Sequence, residues 1–265
     1  MVLASAAFKT EFAVDMTCQN CVTAVNDALR DVPGIERYDI ELENKRVTIT
    51  GKTPPSQLLS ALKSTHRQVL VRGASAADSS VPSQAAVSIL ESPVDVPTDA
   101  ACSATPLRDI PGMNEAEFSQ KVFGIARYVQ VAPKSVLLDL TVRIPKDEHT
   151  TPASVYHAYV SKTGNLVDPP STTGGAYVDL GAITLDKDGY GDLFKEVDGE
   201  IWEWIGRATV VEAKDVPAES KSIGSIFAGV VARSSGAWGN DKTVCACSGR
   251  TMWEEGREME RKGLL

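Results

Sequence analysis

Four of the five cysteines in this 265-residue chain form two close pairs, one near each end. Cys18 and Cys21 belong to the run MTCQNC at residues 16–21, and Cys245 and Cys247 flank a single alanine. Disulfide-stapled secreted folds spread an even number of cysteines over a short chain. Two close pairs in a chain of this length therefore indicate reduced thiols, which bind soft metal ions or exchange disulfides.

The first pair is predicted to lie between a strand and a helix. Cys21 stands at the start of that helix, where free backbone N–H groups and the helix dipole stabilise a thiolate. Two exposed thiolates favour Cu(I), and Met16 is expected to point inward and brace the loop. Zinc is not expected, because a structural zinc site needs four ligands. The aromatic residue and the Gly-Pro pair that surround a thioredoxin-like motif are missing here, which argues against that class. The remaining alternative is that both thiols are only structural.

The second pair lies in a segment where the apolar alternation of the preceding strands has stopped. In an extended chain, residues i and i+2 lie on one face, so Cys245 and Cys247 can address one target together. Their spacing is poor for an internal disulfide and suits attack on a partner thiol through a mixed disulfide. We therefore predict that both take part in catalytic thiol exchange and that both can also bind Cu(I).

The periodicity of the chain predicts an α+β protein with several domains. Residues 1–72 carry a βαββαβ pattern, and residues 73–83 have the composition of a linker. Residues 84–236 contain short β-rich runs separated by turns, which predicts an antiparallel barrel or sandwich. Residues 237–265 are expected to form a short flexible tail that orders on a partner.

Composition limits the partners. The chain has a net charge of −8 and scattered Lys and Arg, so neither nucleic acid nor a membrane surface is expected to bind it. No run reaches the ~18 apolar residues that cross a bilayer, and no leader is expected at the N-terminus. These features favour the cytoplasm and leave the mitochondrial intermembrane space open as a second location.

The MTCxxC loop in its βαββαβ frame resembles the heavy-metal-associated domains of copper chaperones and copper-pumping ATPases. The resemblance covers about residues 7–72. It implies a ferredoxin-like fold and a Cu(I) site at Cys18 and Cys21. In such domains a basic residue before the last strand often offsets the charge of the copper–dithiolate complex. Arg67 occupies that neighbourhood, and a solvated surface charge is an equal alternative.

The middle of the chain resembles copper/zinc superoxide dismutase. The resemblance is specific at residues 179–189, which contain DLG and DKDG, at residues 206–211 and at residues 228–234. It implies a Greek-key barrel over residues 84–236 that shares the dismutase architecture.

Most metal ligands of the dismutase are missing. The chain has three histidines, His66, His149 and His157, too few for an active dismutase site. His157 keeps one ligand position and is expected to be packed or hydrogen-bonded, while Cys102 is expected to be a bystander. The other aligned positions hold Tyr159, Ala176 and Glu212 as replacements, and Asp179 at the zinc carboxylate, where a role in capping loop N–H groups is favoured.

The run VCACSGRTMWEE at residues 244–255 resembles the C-terminal segment of superoxide dismutase copper chaperones, especially fungal ones. With the other two resemblances it implies a protein that delivers Cu(I) to a newly made dismutase monomer, within a heterodimer, and promotes its intrasubunit disulfide. The free protein is then expected to be a homodimer through its dismutase-like face. The residues assigned to partner binding are Trp204, Gly206, Arg233, Ser234 and Trp253.

A general thiol–disulfide oxidoreductase that binds copper incidentally is the alternative function. Whether the chain counts as an enzyme stays open at this point. It is not expected to be a dismutase, and the activity that the thiols suggest is disulfide formation on the target.

Overall fold

A computed structural model describes residues 3–78, 80–81, 84–93, 122–144, 155–214, 224–237, 251–254 and 257. The N-terminal unit is a four-stranded antiparallel sheet in the order β2-β3-β1-β4 with two helices on one face. Its elements are β1 (Phe8–Val14), α1 (Gln19–Arg30), β2 (Ile35–Glu41), β3 (Arg46–Gly51), α2 (Pro55–Lys63) and β4 (Val69–Ala76). The predicted βαββαβ pattern is confirmed.

The helices bury residues at helical spacing. Cys21, Val25 and Leu29 form the buried stripe of α1, which packs on the sheet. Helix α2 begins with Pro55 at its first position, where the missing N–H costs nothing. Neither helix is long and apolar enough to cross a membrane, nor is any other helix within the described ranges.

Strand β4 continues beyond the expected end of the first domain. Phe8 pairs with Ala76, so residues 73–76 of the predicted linker extend the strand. An apolar cluster forms there between the two units, because Phe8 and Ala74 pack with Val129 and Leu137. The domain boundaries themselves stay a prediction.

The second unit is a nine-stranded antiparallel sheet in the order β10-β7-β6-β5-β12-β11-β8-β9, with β13 paired to β5. Strands β9 and β10, at the two ends of this path, lie beside each other, so the sheet curls into a flattened barrel around an apolar core. Its elements are β5 (Ala85–Glu91), β6 (Val122–Ala132), β7 (Ser135–Arg143), β8 (Val155–Ser161), β9 (Ala176–Thr184), β10 (Tyr190–Asp198), α3 (Ile201–Trp204), β11 (Ala208–Ala213), β12 (Ile226–Val230) and β13 (Ala232–Ser234). The predicted all-β architecture is confirmed.

The structure corrects the assignment of Trp204 to a partner-binding surface. The residue lies at the end of α3, and its side chain is 0% exposed. Its ring packs edge-on against Tyr128, with 5.5 Å between the centroids. The indole fills the barrel core and has no exposed surface. Trp204 therefore cannot contact a partner from the surface.

The two units meet at a buried polar contact. Helix α2 has no side-chain cap of its own, and Asp139 on β7 supplies one from the other unit. The Ser56 N–H donates to Asp139 Oδ2 at 3.0 Å, and the Ser56 hydroxyl donates to Oδ1 at 2.7 Å. Arg127 Nη1 lies 3.5 Å from Asp139 Oδ2. One carboxylate therefore satisfies a free helix N–H and neutralises a neighbouring guanidinium.

Candidate metal centre

The two cysteines of the MTCQNC run lie at the start of α1. Cys18 is the N-cap residue in extended conformation, and Cys21 is the third helical residue. Their sulfurs are 3.7 Å apart, with Cys18 exposed and Cys21 buried. With metal–sulfur bonds of about 2.3 Å, one ion can bind both sulfurs after a small adjustment. Met16 is 1% exposed, which confirms that it points inward beneath the loop.

The surroundings of Cys21 favour its thiolate. Hydrogen bonding from the Thr17 backbone, then from the Arg67 side chain, and then from the Cys18 backbone lowers the pKa of the Cys21 thiol to about 6. Arg67 is held in place as its Nη1 donates to the Thr65 carbonyl at 2.7 Å. Of the two interpretations of Arg67, this contact supports a role at the thiol pair. At neutral pH the loop therefore presents a ready anionic sulfur.

Alkylation of Cys21 is expected to follow this pKa. The rate should stay high at neutral pH and fall by half near pH 6, because protonation removes the nucleophilic thiolate. Arg67→Gln should move that midpoint upward, since a cationic donor to the thiolate is lost. Peptide-resolved iodoacetamide labelling over a pH series measures it. Arg30→Gln at the far end of α1 is the matched control, and equal midpoints in both variants would contradict the role of Arg67.

Cys21 opens into a pocket of about 520 Å³. Its walls come from the MTCQNC loop, from the turn before β4 and from Arg257 near the C-terminus. The lining residues are Asp15, Thr17, Cys21, Thr65, His66, Arg67, Gln68 and Arg257. Arg257 was not anticipated from the sequence, because its partners lie about 190–240 positions earlier in the chain.

The dismutase-like ligand positions come together in the barrel, and hydrogen bonds occupy them. His157 Nε2 lies 2.9 Å from Asp179 Oδ1, and that oxygen also accepts the Gly181 N–H at 2.8 Å. The predicted capping role of Asp179 is confirmed, and the His157 contact lowers the pKa of its carboxyl. Tyr159 donates its hydroxyl to Glu212 at 3.4 Å. Within the described ranges, no group of three or more His, Cys, Asp or Glu side chains is arranged to hold a metal ion.

Three of the remaining residues assigned to partner binding, Gly206, Arg233 and Ser234, lie in one region of the barrel. Gly206 is exposed, and its N–H donates to the carbonyl of Val231 at 3.0 Å, beside β13 with Arg233 and Ser234. The same region exposes two large apolar side chains that sequence reasoning missed, namely Trp202 at 58% and Val230 at 42%. Trp202 and Trp204 are two residues apart, and the sequence gives no signal of which of the two side chains faces outward.

The predicted tail is only partly described. Cys245 and Cys247 lie outside the described residues, as do Cys102 and His149, so their roles stay predictions. Trp253 lies within them and packs under the Lys45 ammonium, which is 5.5 Å from the ring centroid. In this chain its ring therefore contacts the N-terminal unit.

Comparisons with known proteins find relatives of the N-terminal unit and of the whole chain. The heavy-metal-associated domain matches residues 11–68. The superoxide dismutase 1 copper chaperone of Debaryomyces hansenii is 33% identical over 97% of this chain and 98% of that protein. The human copper chaperone for superoxide dismutase is 28% identical over 96% of this chain and 91% of that protein.

Among solved structures, the copper(I)-loaded first domain of the human chaperone is 34% identical and covers 26% of this chain and 99% of that one, with a TM-score of 0.26. The relative from Debaryomyces hansenii matches almost end to end, across the thiol loop and the barrel alike. The chain therefore belongs to the family of copper chaperones for superoxide dismutase.

Proposed function

We propose that this chain binds Cu(I) at Cys18 and Cys21 and delivers it to a copper/zinc superoxide dismutase. The observation that carries the proposal is the thiol pair itself, with sulfurs 3.7 Å apart and a thiolate-favouring Arg67 beside it. The thiol pair lies in the same chain as a dismutase-like barrel, which supports superoxide dismutase as the target. A soft ion shared between thiolates can pass to other thiolates without release into water, and transfer stops where the imidazoles of the target hold it.

The barrel recognises the target in this proposal. The region around Gly206, Arg233 and Ser234 would contact a dismutase monomer and form a heterodimer, and in the free protein it would contact a second copy. The exposed Trp202 supports this placement, since tryptophan and arginine are enriched among the residues that contribute most of the binding energy of interfaces. The cytoplasm is the proposed location.

We propose that the tail thiols oxidise the target after it has docked. Cys245 or Cys247 forms a mixed disulfide with one cysteine of the target, and the second target cysteine displaces it. Joining the tail thiol and the target thiol in the mixed disulfide releases two electrons and two protons, which reduce dioxygen, the proposed oxidant, to hydrogen peroxide. The exchange that follows is redox-neutral and releases the tail cysteine as a thiol. Copper insertion and disulfide formation then occur on the same docked monomer.

Activation of copper-free, disulfide-reduced superoxide dismutase tests this function. The Cu(I)-loaded protein should restore dismutase activity in air under limiting free copper, and Cys245→Ser/Cys247→Ser should lose most of that activation. Without dioxygen the disulfide should not form. Cys102→Ser is the matched control, because it removes a thiol that is expected to be a bystander.

Each outcome separates the candidates. Equal activation by the wild type and the double variant would assign transfer to Cys18 and Cys21 alone. No activation by either would reject the dismutase as the target. Copper-independent oxidation of unrelated dithiol substrates would then favour the general oxidoreductase.

A further inference from the structure

The face of the N-terminal sheet that points away from the helices is buried in this chain. Phe12 and Val47 pack against the helices, so alternation places their neighbours Glu11 and Thr48 on the opposite face. Glu11 is 1% exposed and Thr48 is 8% exposed. Antiparallel sheets commonly leave such a face to water. Burial of a carboxylate there needs covering elements, and one of them is the backbone of Ser235 and Gly236, which lies against Gly73, the β4 partner of Glu11.

The C-terminal segment, meaning residues 251–254 and 257, contacts the N-terminal unit at two points, one on this face and one at the turn before β3. Arg72 Nη2 lies 3.6 Å from Met252 Sδ, while its Nη1 lies 3.6 Å from Glu11 Oε1. At the second point the Trp253 ring lies beneath Lys45, whose Nζ donates to Asp15 Oδ1 at 2.6 Å. Asp15 directly precedes the copper loop, so the segment lies at the loop end of the sheet.

A local capping box orders the segment at its start. The Thr251 N–H and hydroxyl donate to Glu254 Oε2 at 2.8 and 2.9 Å, and the Glu254 N–H lies 3.3 Å from the Thr251 hydroxyl. This reciprocal T-x-x-E arrangement fixes the first helical turn, which contains Met252 and Trp253. The two contacts therefore come from a preformed turn, which lowers the ordering cost of docking.

The same segment contributes the guanidinium of Arg257 to the pocket beside Cys21. Arg257 lines it together with Cys21 and Arg67. A Cu(I) ion held by two thiolates has a net charge of −1, and a positive charge on the pocket wall stabilises that anion.

We propose that the C-terminal segment is an intramolecular ligand of the N-terminal sheet, docked through Met252 and Trp253. In this arrangement Arg257 is a second cation, beside Arg67, that stabilises the Cu(I)–dithiolate complex. The inference rests on the proposed Cu(I) binding at Cys18 and Cys21. By reciprocity, Cu(I) strengthens docking of the segment as much as docking strengthens Cu(I) binding. The segment is then held most firmly when the loop is loaded, and it loosens when copper leaves.

Copper affinity tests the cation. The full chain carries Cys245→Ser/Cys247→Ser so that the loop alone binds, and bicinchoninate competes for Cu(I). Arg257→Gln should weaken binding roughly three- to tenfold, the size of one partly screened charge interaction. The loss should shrink in about 0.5 M NaCl, where the Debye length is roughly 4 Å. Arg30→Gln, about 14 Å from Cys21 along α1 by helical rise, should change affinity less than twofold.

The anchor is tested in the same background. Trp253→Ala should cause the same loss as Arg257→Gln, and the combined variant should be no worse, because undocking already removes Arg257. Amide exchange at residues 11–13 and 70–72 should speed up in Trp253→Ala and slow on Cu(I) loading of the parent. An Arg257→Gln affinity equal to the parent's, or exchange unaffected by Trp253→Ala, would overturn the inference. A parent that binds no Cu(I) at all would instead reject the proposed function.

Discussion

Asp139→Ala is expected to destabilise the chain by about 3–5 kcal/mol, because it leaves the guanidinium of Arg127 in a buried site without its carboxylate. The Asp139 side chain is 3% exposed and that of Arg127 is 15% exposed, so water replaces the lost contact poorly. Burial raises the pKa of the Asp139 carboxyl, and Arg127 and the Ser56 hydrogen bonds oppose that rise. The carboxylate is therefore favourable only while both partners are present.

Urea unfolding followed by far-UV circular dichroism measures this loss. Asp139→Asn keeps the size and one acceptor, so about 1–3 kcal/mol is expected. The exposed Asp198 on β10 provides the matched control, and Asp198→Ala should stay within about 0.5 kcal/mol of the wild type. Asp139→Ala and Asp198→Ala with equal effects would show that the buried contact contributes nothing.

A double-variant cycle separates the two partners of Asp139. Ser56→Ala removes the hydroxyl donor and keeps the backbone N–H, and Ser60→Ala in the same helix is its exposed counterpart. Non-additivity between Ser56→Ala and Asp139→Ala measures how strongly the helix cap couples the two units. Because Ser56 and Asp139 come from different units, that coupling also reports how firmly the units are joined.

The local elements of the fold were accessible from the sequence because their cause is local. The buried stripe of α1 repeats at helical spacing from Cys21 to Leu29, and the structure keeps it. Strand β10 carries a weaker local signal, because its sequence includes the exposed Asp192 and the half-buried Lys195 and Glu196, which interrupt the apolar alternation. Trp204 was assigned to a partner-binding surface, whereas its ring packs edge-on against Tyr128 in the barrel core, a long-range contact that no local pattern contains.

The candidate site likewise has a part that the local sequence predicts and a part that depends on long-range contacts. Met16, Cys18 and Cys21 lie within six consecutive residues, so the local sequence alone predicts a pair of metal-binding thiols. Arg257 and the pairing of Arg72 with Met252 depend on contacts across about 180 or more positions, which no local pattern contains. The T-x-x-E signature at Thr251 was the one local hint that the tail could order.

The largest functional effect is expected from Cys18→Ser/Cys21→Ser. In the chain that also carries Cys245→Ser/Cys247→Ser, Cu(I) binding should fall from about one ion per chain to none that competes with bicinchoninate. A serine hydroxyl stays protonated at neutral pH and is a hard donor, so it cannot replace a thiolate toward a soft ion. Cys102→Ser in the same background is the matched control and should keep the ion.

The single variants distinguish a shared ion from two independent thiols. Cys21→Ser and Cys18→Ser should each lose nearly as much as the double change, because one ion needs both sulfurs and they lie only 3.7 Å apart. Independent thiols would instead each retain about half of the bound copper. Far-UV circular dichroism should stay unchanged in Cys18→Ser, whose side chain is exposed, so a loss of copper there reflects ligation rather than folding.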